Sequence, residues 1–309
     1  MGAVHQLLLL KGADEARARA ATRAERSAID AAVAVLAEEE VRLGITHAGF
    51  AMTSLPHKRI AERYWRRKGP QITLYVESGM DLEEQPIGVP YGSLARLILL
   101  YLQTEAVRTG SPDVELGRSM NRWLTRMGMS VGGRTYHLVA EQARRISACR
   151  LTFLTEPKPG IELRHNGGFV QNAISIVGRG DERQSSLWQD HVRLDEGFWQ
   201  SLREHPVPIR EEAIKAIGTR SFAIDVYIWL AYRLHALKKP VLVTWPSVYA
   251  QFGAGFAKIY HLRQPFLDAL QLALAVYPEG HVELGEEGVT LHPSPPAIPH
   301  SLARQLGLG

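Results

Sequence analysis

The sequence predicts an α+β fold that is mostly helical. Long runs with apolar residues at helical spacing dominate the chain, and short extended runs bounded by glycine and proline stand between them. One order of elements occurs twice, at an offset of roughly 125–130 residues: a helix, a short strand, two helices and a β-hairpin. This order is typical of a winged helix domain. We therefore predict two tandem winged helix domains with an extra N-terminal helix.

The predicted domains are an N-terminal helical extension over residues 1–50, a first winged helix domain over 51–185, and a second over 186–309 with a short C-terminal tail. The extension is rich in Ala, Arg and Glu and has no proline, which predicts a helix. Its charge is close to balanced, so we expect it to dock on the body or on a second copy. The polar run at 178–186 predicts the linker between the two domains.

In the first domain, an almost wholly apolar run at 91–102 predicts a buried helix, and a short strand follows at 114–116. Residues 117–150 predict two helices joined by a glycine-bearing turn, the geometry of a recognition helix for the major groove. The Asn166-Gly167-Gly168 run between two extended runs predicts a hairpin turn, with Arg164 near the tip of the wing.

In the second domain, residues 221–232 predict a second buried helix, and 241–243 a short strand. Thr244 is a predicted N-cap for a helix at 245–252. A turn at 253–255 leads to a long helix at 256–277, with a kink at Pro265, and a hairpin closes the domain at 281–292.

Positive charge is concentrated in two stretches. Residues 117–150 carry seven Arg and one acid, and residues 56–70 carry six Lys or Arg and one acid. The whole chain is only +4, so the remainder sums to −7. Such concentration is expected where the phosphates of a duplex are neutralised, although a charge run can also be a solvated helix face. The candidate DNA-binding residues of the first domain are Lys58, Arg59, Arg66, Arg67, Lys68, Arg118, Arg134, His137, Arg144, Arg145 and Arg164.

The second domain differs in charge. Residues 186–309 hold eleven Lys or Arg against twelve Asp or Glu, and its predicted wing carries three glutamates. Its long helix offers Lys258, His261, Arg263 and Gln264 as candidate DNA-binding residues. Either these few residues read bases while phosphates are contacted elsewhere, or this domain mainly binds protein.

Several classes of function are disfavoured. No glycine precedes a lysine, so a phosphate-binding P-loop is absent. The metal site of a nicking initiator requires two histidines that stand two residues apart, and none of the twelve histidines forms such a pair. The lone Cys149 excludes an internal disulfide and suits a reducing compartment. We expect no catalysis, no cofactor and no metal site. We also expect a cytoplasmic protein without membrane contact, because the apolar runs are too short to span a bilayer.

Seven ordered blocks resemble one known family: GVPYGSLARLILLYLQTEAVRTGS, ELGRSMNRWLTRMG, RISACRLTF, HPVPIREEAIKAI, IWLAYRLH, QFGAGFAKI and LHPSPP. They resemble the plasmid-encoded RepA replication-initiator family over residues 56–296. The resemblance implies a protein that binds repeated double-stranded sites, called iterons, in a plasmid origin. It also implies opening of the nearby duplex, recruitment of the host replication initiator and replicative helicase, and possible homodimerisation with repression of its own gene.

The resemblance also implies that the second domain's helix from Lys258 reads bases, whereas the arginine-rich helix of the first contacts phosphate or mediates dimerisation. Two other functions stay open at this point. One is a winged helix transcriptional repressor that only occupies an operator. The other is an interaction scaffold without DNA contact, whose binding would be insensitive to salt.

Overall fold

The computed structural model describes residues 3–116, 118–129, 132–158, 161–171, 191–299 and 301–302. Within these ranges, the side chains at 3, 118–120, 133–134, 156–158 and 161–166 lie outside the description. The described residues form eleven helices and eleven strands, which confirms the predicted α+β class. The chain divides into two compact units. We call residues 1–44, 50–54 and 207–309 the terminal unit, and residues 45–49 and 55–206 the central unit.

The described elements follow one another in this order: α1 (Ala3–Arg19), α2 (Arg23–Leu36), β1 (Leu43–His47), α3 (Ala48–Met52), β2 (Tyr64–Lys68), β3 (Ile72–Glu77), α4 (Gly92–Thr109), β4 (Asp113–Glu115), α5 (Arg118–Arg126), α6 (Gly133–Ala148), β5 (Arg150–Lys158), β6 (Ile161–Gly168), β7 (His191–Arg193), α7 (Glu196–Glu204), β8 (Pro206–Arg210), α8 (Glu211–Ile217), α9 (Ser221–Leu234), β9 (Val241–Thr244), α10 (Trp245–Phe252), α11 (Ile259–Ala275), β10 (Val282–Leu284) and β11 (Gly288–Leu291).

The core of the terminal unit forms around α9 and α11. Both helices have apolar residues on most of their surface, so they are stable only when packed. The fully buried ring of Phe266 on α11 lies 6.3 Å from Trp229 on α9 and 5.5 Å from Phe252 on α10, measured between ring centroids. This aromatic cluster holds α11 with its N-terminal turns exposed.

A three-stranded antiparallel sheet borders this core in the order β10-β11-β9. Strand β11 pairs with β9 through Thr290 opposite Leu242, and with β10 through Thr290 opposite Glu283. The hairpin β10–β11 lies where the sequence predicts one. Because β9 precedes α10 and α11 while its partner β11 follows them, the sheet closes the unit around the two helices.

The two N-terminal helices belong to the terminal unit. Helix α1 is kinked at Gly12, and α2 begins with a capping box in which Thr22 and Glu25 satisfy each other's backbone. The alanine-rich face of α2 is buried, including Ala28 and Ala32, and it packs against α8 and α11. Helix α2 therefore docks on the body, one of the two predicted alternatives for the extension, because small alanine side chains allow it to pack closely.

The central unit contains the antiparallel sheet β2-β3-β5-β6 and the buried helix α4. Strand β3 buries Ile72, Leu74 and Val76 on alternate positions. Helix α4 buries the run from Leu94 to Thr104 and packs against α6. Strand β4 pairs with β7, so it does not join the four-stranded sheet.

The hairpin of the central unit differs from its prediction. The Asn166-Gly167-Gly168 run is not a turn: Asn166 lies in β6 opposite Thr152, and Gly168 lies opposite Arg150. Lys158 lies opposite Ile161 in the β5–β6 pairing, and the Pro-Gly pair between them in the sequence is itself a turn signal. Arg164 is therefore placed within the strand, opposite Leu154. The predicted linker at 178–186 lies outside the described residues.

Candidate nucleic-acid interface

Helix α6 places two adjacent arginines in opposite environments. The side chain of Arg144 is 59% exposed, and its Nη2 lies 3.7 Å from Asp81 Oδ2. A single exposed ion pair at this distance contributes little and exchanges readily with another anion. His137 is also exposed, on an earlier turn of the same helix. Arg144 and His137 therefore remain candidates for contact with a nucleic acid.

Arg145 is buried, which corrects its predicted place on a phosphate-binding face. Its side chain is 4% exposed, and its Nε and Nη2 donate to Glu141 Oε1 at 3.1 and 2.8 Å. Its Nη1 donates to the carbonyl of Val89 at 3.1 Å, and its guanidinium lies 5.1 Å from the ring centre of Tyr91. Arg145 thus joins α6 to the loop before α4, and it has no exposed charge to offer to phosphate.

The second basic stretch also separates into exposed and buried side chains. Because residues alternate between the faces of a strand, Arg66 and Lys68 of β2 are exposed whereas Arg67 is buried at 6% exposure. This burial removes Arg67 from the candidate surface. Arg66 lies over the ring of Tyr75, 5.5 Å from its centre, on the outer face of the sheet. Lys58 and Arg59 are exposed in the loop before β2.

The first turns of α11 present a compact exposed group. Lys258 is the N-cap residue, with extended backbone, so the helix begins three residues later than predicted. His261 and Gln264 are exposed along the same helix, and the His261 ring lies 4.1 Å from that of Tyr260. The amide of Gln264 donates to Asp268 at 2.7 Å.

Arg263 is held against the hairpin. Its guanidinium lies 4.6 Å from the ring centre of Trp245, and its Nη2 donates to the carbonyl of Glu286 at 2.9 Å. Trp245 Nε1 donates to the same carbonyl at 2.9 Å. These contacts tie α11 to the loop between β10 and β11 while leaving the Arg263 residue exposed. Arg263 therefore orients the two elements in addition to contributing charge.

Tyr260 is the candidate that the sequence did not reveal. It is 62% exposed, between Lys258 and His261, and Lys258 Nζ lies 5.9 Å from its ring centre. Tyrosines in this sequence mostly fall at core spacings, so composition gave no reason to select it. The signal was positional: in a helix that begins at Ile259, position 260 cannot share the buried face of Leu262 and Phe266.

The side chains of Arg118, Arg134 and Arg164 lie outside the described part of the chain, although α5 begins at Arg118 and Arg134 is the second residue of α6. Of the remaining predicted residues, the structure brings Lys258, His261, Arg263 and Gln264 together on α11, and it places Arg66 and Lys68 on one face of β2.

The sequence profile of the plasmid encoded RepA proteins matches residues 89–246, which is about half of the chain. The chain belongs to this family. The matched range begins just before α4 and ends within α10, so it includes the arginines of α6 but stops before α11. No curated protein matches the chain.

Among solved structures, this RepA-family chain is similar to a crystal structure of domains 2 and 3 of RctB, with a TM-score of 0.50 and 10% identity. The alignment covers 82% of this chain and 97% of that one. A second structure of RctB domains 2–3 aligns with a TM-score of 0.45 and 10% identity, over 78% of this chain and 93% of the other. At this identity the first likeness shows a shared fold and nothing about activity. Among the described residues, no helix of the RepA-family chain is both long and apolar enough to cross a bilayer.

Proposed function

We propose that this RepA-family protein is a plasmid replication initiator that binds repeated double-stranded DNA sites at the origin. The observation that carries the proposal is the exposed first part of α11, where Lys258, Tyr260, His261 and Gln264 project from a helix fixed by a buried aromatic core. Polar and aromatic side chains on the N-terminal turns of a rigid helix are suited to contact base edges in a major groove.

The arrangement of the terminal unit supports a winged helix module. Its elements α9, β9, α10, α11, β10 and β11 follow the order of that motif, and the sheet order β10-β11-β9 brings the strand before the helices next to the hairpin after them. In this interpretation α11 is the recognition helix and the β10–β11 hairpin is the wing. The contact of Arg263 with the hairpin fixes the angle between them.

The start of α11 is also suited to phosphate. Among the described residues, no side chain caps the helix and no acid lies in its first turn, so the backbone N–H groups of Ile259 and Tyr260 can meet an anion, whereas that of His261 donates to the Lys258 carbonyl at 3.1 Å. Lys258 at the N-cap is unfavourable beside the positive end of the helix dipole unless an anion lies nearby. A DNA phosphate would supply that anion.

The central unit has the same order of elements from α4 to β6, but its sheet differs. Strand β4 pairs with β7, while the hairpin β5–β6 continues into β3 and β2. We infer a modified winged helix module whose exposed Arg144, Arg66 and Lys68 contact phosphate without reading bases. The order of elements and the exposure of these cations support this role.

In this proposal the protein acts in the cytoplasm and has no catalytic activity of its own. It binds iterons, recruits the host initiator and helicase, and could dimerise. Footprinting on DNA that flanks the gene tests the first step, and protection of evenly spaced repeats is the expected result. Supplying the protein in trans to a plasmid that carries those repeats tests the second. Protected repeats without replication would favour the alternative of a transcriptional repressor, and an absence of protection would contradict DNA recognition.

A further inference from the structure

Two histidines and a glutamate meet on one face of the β10–β11 hairpin. His281 and Glu283 are two residues apart along an extended chain, so both point to the same side. His292 lies opposite His281, because its backbone N–H donates to the carbonyl of His281 at 3.1 Å, one position beyond the Val282–Leu291 pair. The hairpin register therefore brings together three residues that are up to eleven positions apart in sequence.

The donor atoms of this cluster converge. His281 Nε2 lies 3.4 Å from Glu283 Oε1, and His292 Nε2 lies 3.3 Å from Glu283 Oε2. One donor atom from each residue lies within 4.8 Å of the others. Around a tetrahedral zinc ion, with bonds of about 2.0–2.1 Å, two donor atoms are about 3.4 Å apart. Each histidine nitrogen already lies at about that distance from one of the two Glu283 oxygens, and a small contraction of the cluster would bring one donor atom from each residue to the same spacing.

Among the described residues, one of these nitrogens lacks a hydrogen-bond partner. Nε2 of His292 is buried. Although it lies 3.3 Å from Glu283 Oε2, it makes no hydrogen bond of acceptable geometry among the described residues. The two imidazole rings are stacked, with centroids 4.1 Å apart and an interplanar angle of 17°. Each neutral imidazole carries a nitrogen lone pair that can bind a cation, so two rings this close can share one.

We propose that His281, Glu283 and His292 bind a zinc ion. Two imidazoles and one carboxylate are ligands that zinc accepts, whereas magnesium and calcium prefer sites made of oxygen alone. Three protein ligands leave one position for water, since His281 and Glu283 are 52% and 60% exposed. The hairpin is prepared for this role, because Ser294 Oγ accepts from the backbone N–H of His281 and donates to the carbonyl of His292.

The sequence could not show this site. The two histidines are eleven residues apart, so neither the paired-histidine pattern nor HExxH is present. Only the antiparallel register places them opposite each other. The sequence patterns that are typical of metal sites lie within one helix or strand, whereas this cluster forms across a hairpin.

The experiment uses the full chain, treated with chelator, dialysed and titrated with zinc by calorimetry. One zinc ion per chain is the expected stoichiometry, and His281→Ala and His292→Ala should each weaken binding at least about tenfold. His235→Ala is the matched control, because His235 lies in the same unit outside the cluster, with Nδ1 2.8 Å from the Ala231 carbonyl. The imidazole NMR signals of His281 and His292 should move together during the titration.

Glu283→Gln distinguishes loss of zinc binding from misfolding, because it keeps the side-chain volume and replaces only the charged ligand. It should weaken zinc binding while circular dichroism and thermal midpoint without zinc stay those of the parent. Absence of saturable zinc binding would overturn the proposal. If the double variant His281→Ala, His292→Ala bound zinc with the affinity of the parent, the proposal would be overturned as well.

A consequence for DNA rests on the proposed function, whereas zinc binding itself does not. The hairpin carries Glu283, Glu286 and Glu287, and a bound dication would offset their repulsion of phosphate. Zinc should therefore tighten binding to origin DNA in the parent but not in His292→Ala. Zinc binding without any DNA binding would contradict the proposed function and leave the metal site standing.

Discussion

Replacing Arg145 by alanine removes a buried guanidinium that holds α6 against the loop before α4. The carbonyl of Val89 loses its donor, and Glu141 loses two hydrogen bonds, at 3.1 and 2.8 Å. The ring of Tyr91 loses the cation that lies 5.1 Å from its centre. In the described structure, no other cation is placed to take over these contacts from the arginine.

The expected cost follows from these contacts. An unsatisfied buried carbonyl costs about 1–3 kcal/mol. The lost cation–π contact adds about 0.5–1 kcal/mol. Glu141 is 35% exposed, so water can solvate its carboxylate and its loss of partner adds little. The sum is a destabilisation of roughly 2–4 kcal/mol, which corresponds to a fall in thermal midpoint of roughly 5–15 °C for a unit of this size.

The assay is urea unfolding of the parent and of Arg145→Ala, followed by circular dichroism, with a thermal melt of the same samples. Arg145→Lys keeps the charge but lacks the fork geometry, so it should recover only part of the loss. Gly88→Ala perturbs the same contact from the other side, because Gly88 has φ +93° and an added Cβ would meet the Arg145 guanidinium. If Arg145→Ala unfolded at the same urea concentration as the parent, the structural role of this arginine would be refuted.

Three further outcomes are expected. Arg144→Ala should leave stability within about 0.5 kcal/mol of the parent and lower the slope of log K against log [salt] by about one, whereas Arg108→Ala, an equally exposed arginine paired with Glu105, should leave that slope unchanged. Burial lowers the pKa of His5 in the folded chain, so the unfolded chain binds a proton at His5 more readily. The free energy of unfolding should therefore fall as pH drops from about 7 to about 5.5, and it should fall less steeply in His5→Gln. Burial raises the pKa of the Cys149 thiol, so a thiol reagent should label Cys149 only at the rate at which the chain unfolds.

Much of the local structure could be predicted because it depends on local signals. The apolar run that became α4, the strand β9 with Thr244 before α10, and the hairpin β10–β11 are encoded by neighbouring residues. The hairpin of the central unit was misplaced because two turn signals compete there. Asn166-Gly167 resembles a hairpin turn, and the nearby Pro-Gly pair is a turn signal as well. The observed register has Lys158 opposite Ile161, which places Asn166 opposite Thr152 within the strands.

Burial of individual arginines could not be predicted, because it depends on contacts between distant parts of the chain. Arg144 and Arg145 are adjacent residues of the same type and charge. Yet Arg145 donates a hydrogen bond to the carbonyl of Val89, which lies 56 residues earlier in the chain. The same reason explains why docking of the extension on the body could be predicted while its partners α8 and α11 could not. Helical spacing shows which face of a helix is apolar, but it does not show which polar side chain near its border finds a buried partner.

The recognition role of α11 is tested most directly by comparing duplexes. Binding of the parent and of His261→Ala is measured on the protected repeat and on a scrambled duplex, at one salt concentration, with His235→Ala as control. We predict a loss of about 1–3 kcal/mol on the repeat and no loss on the scrambled duplex. An equal loss on both would show that this helix contacts DNA without reading it, and an absence of loss on either would contradict its place in the groove.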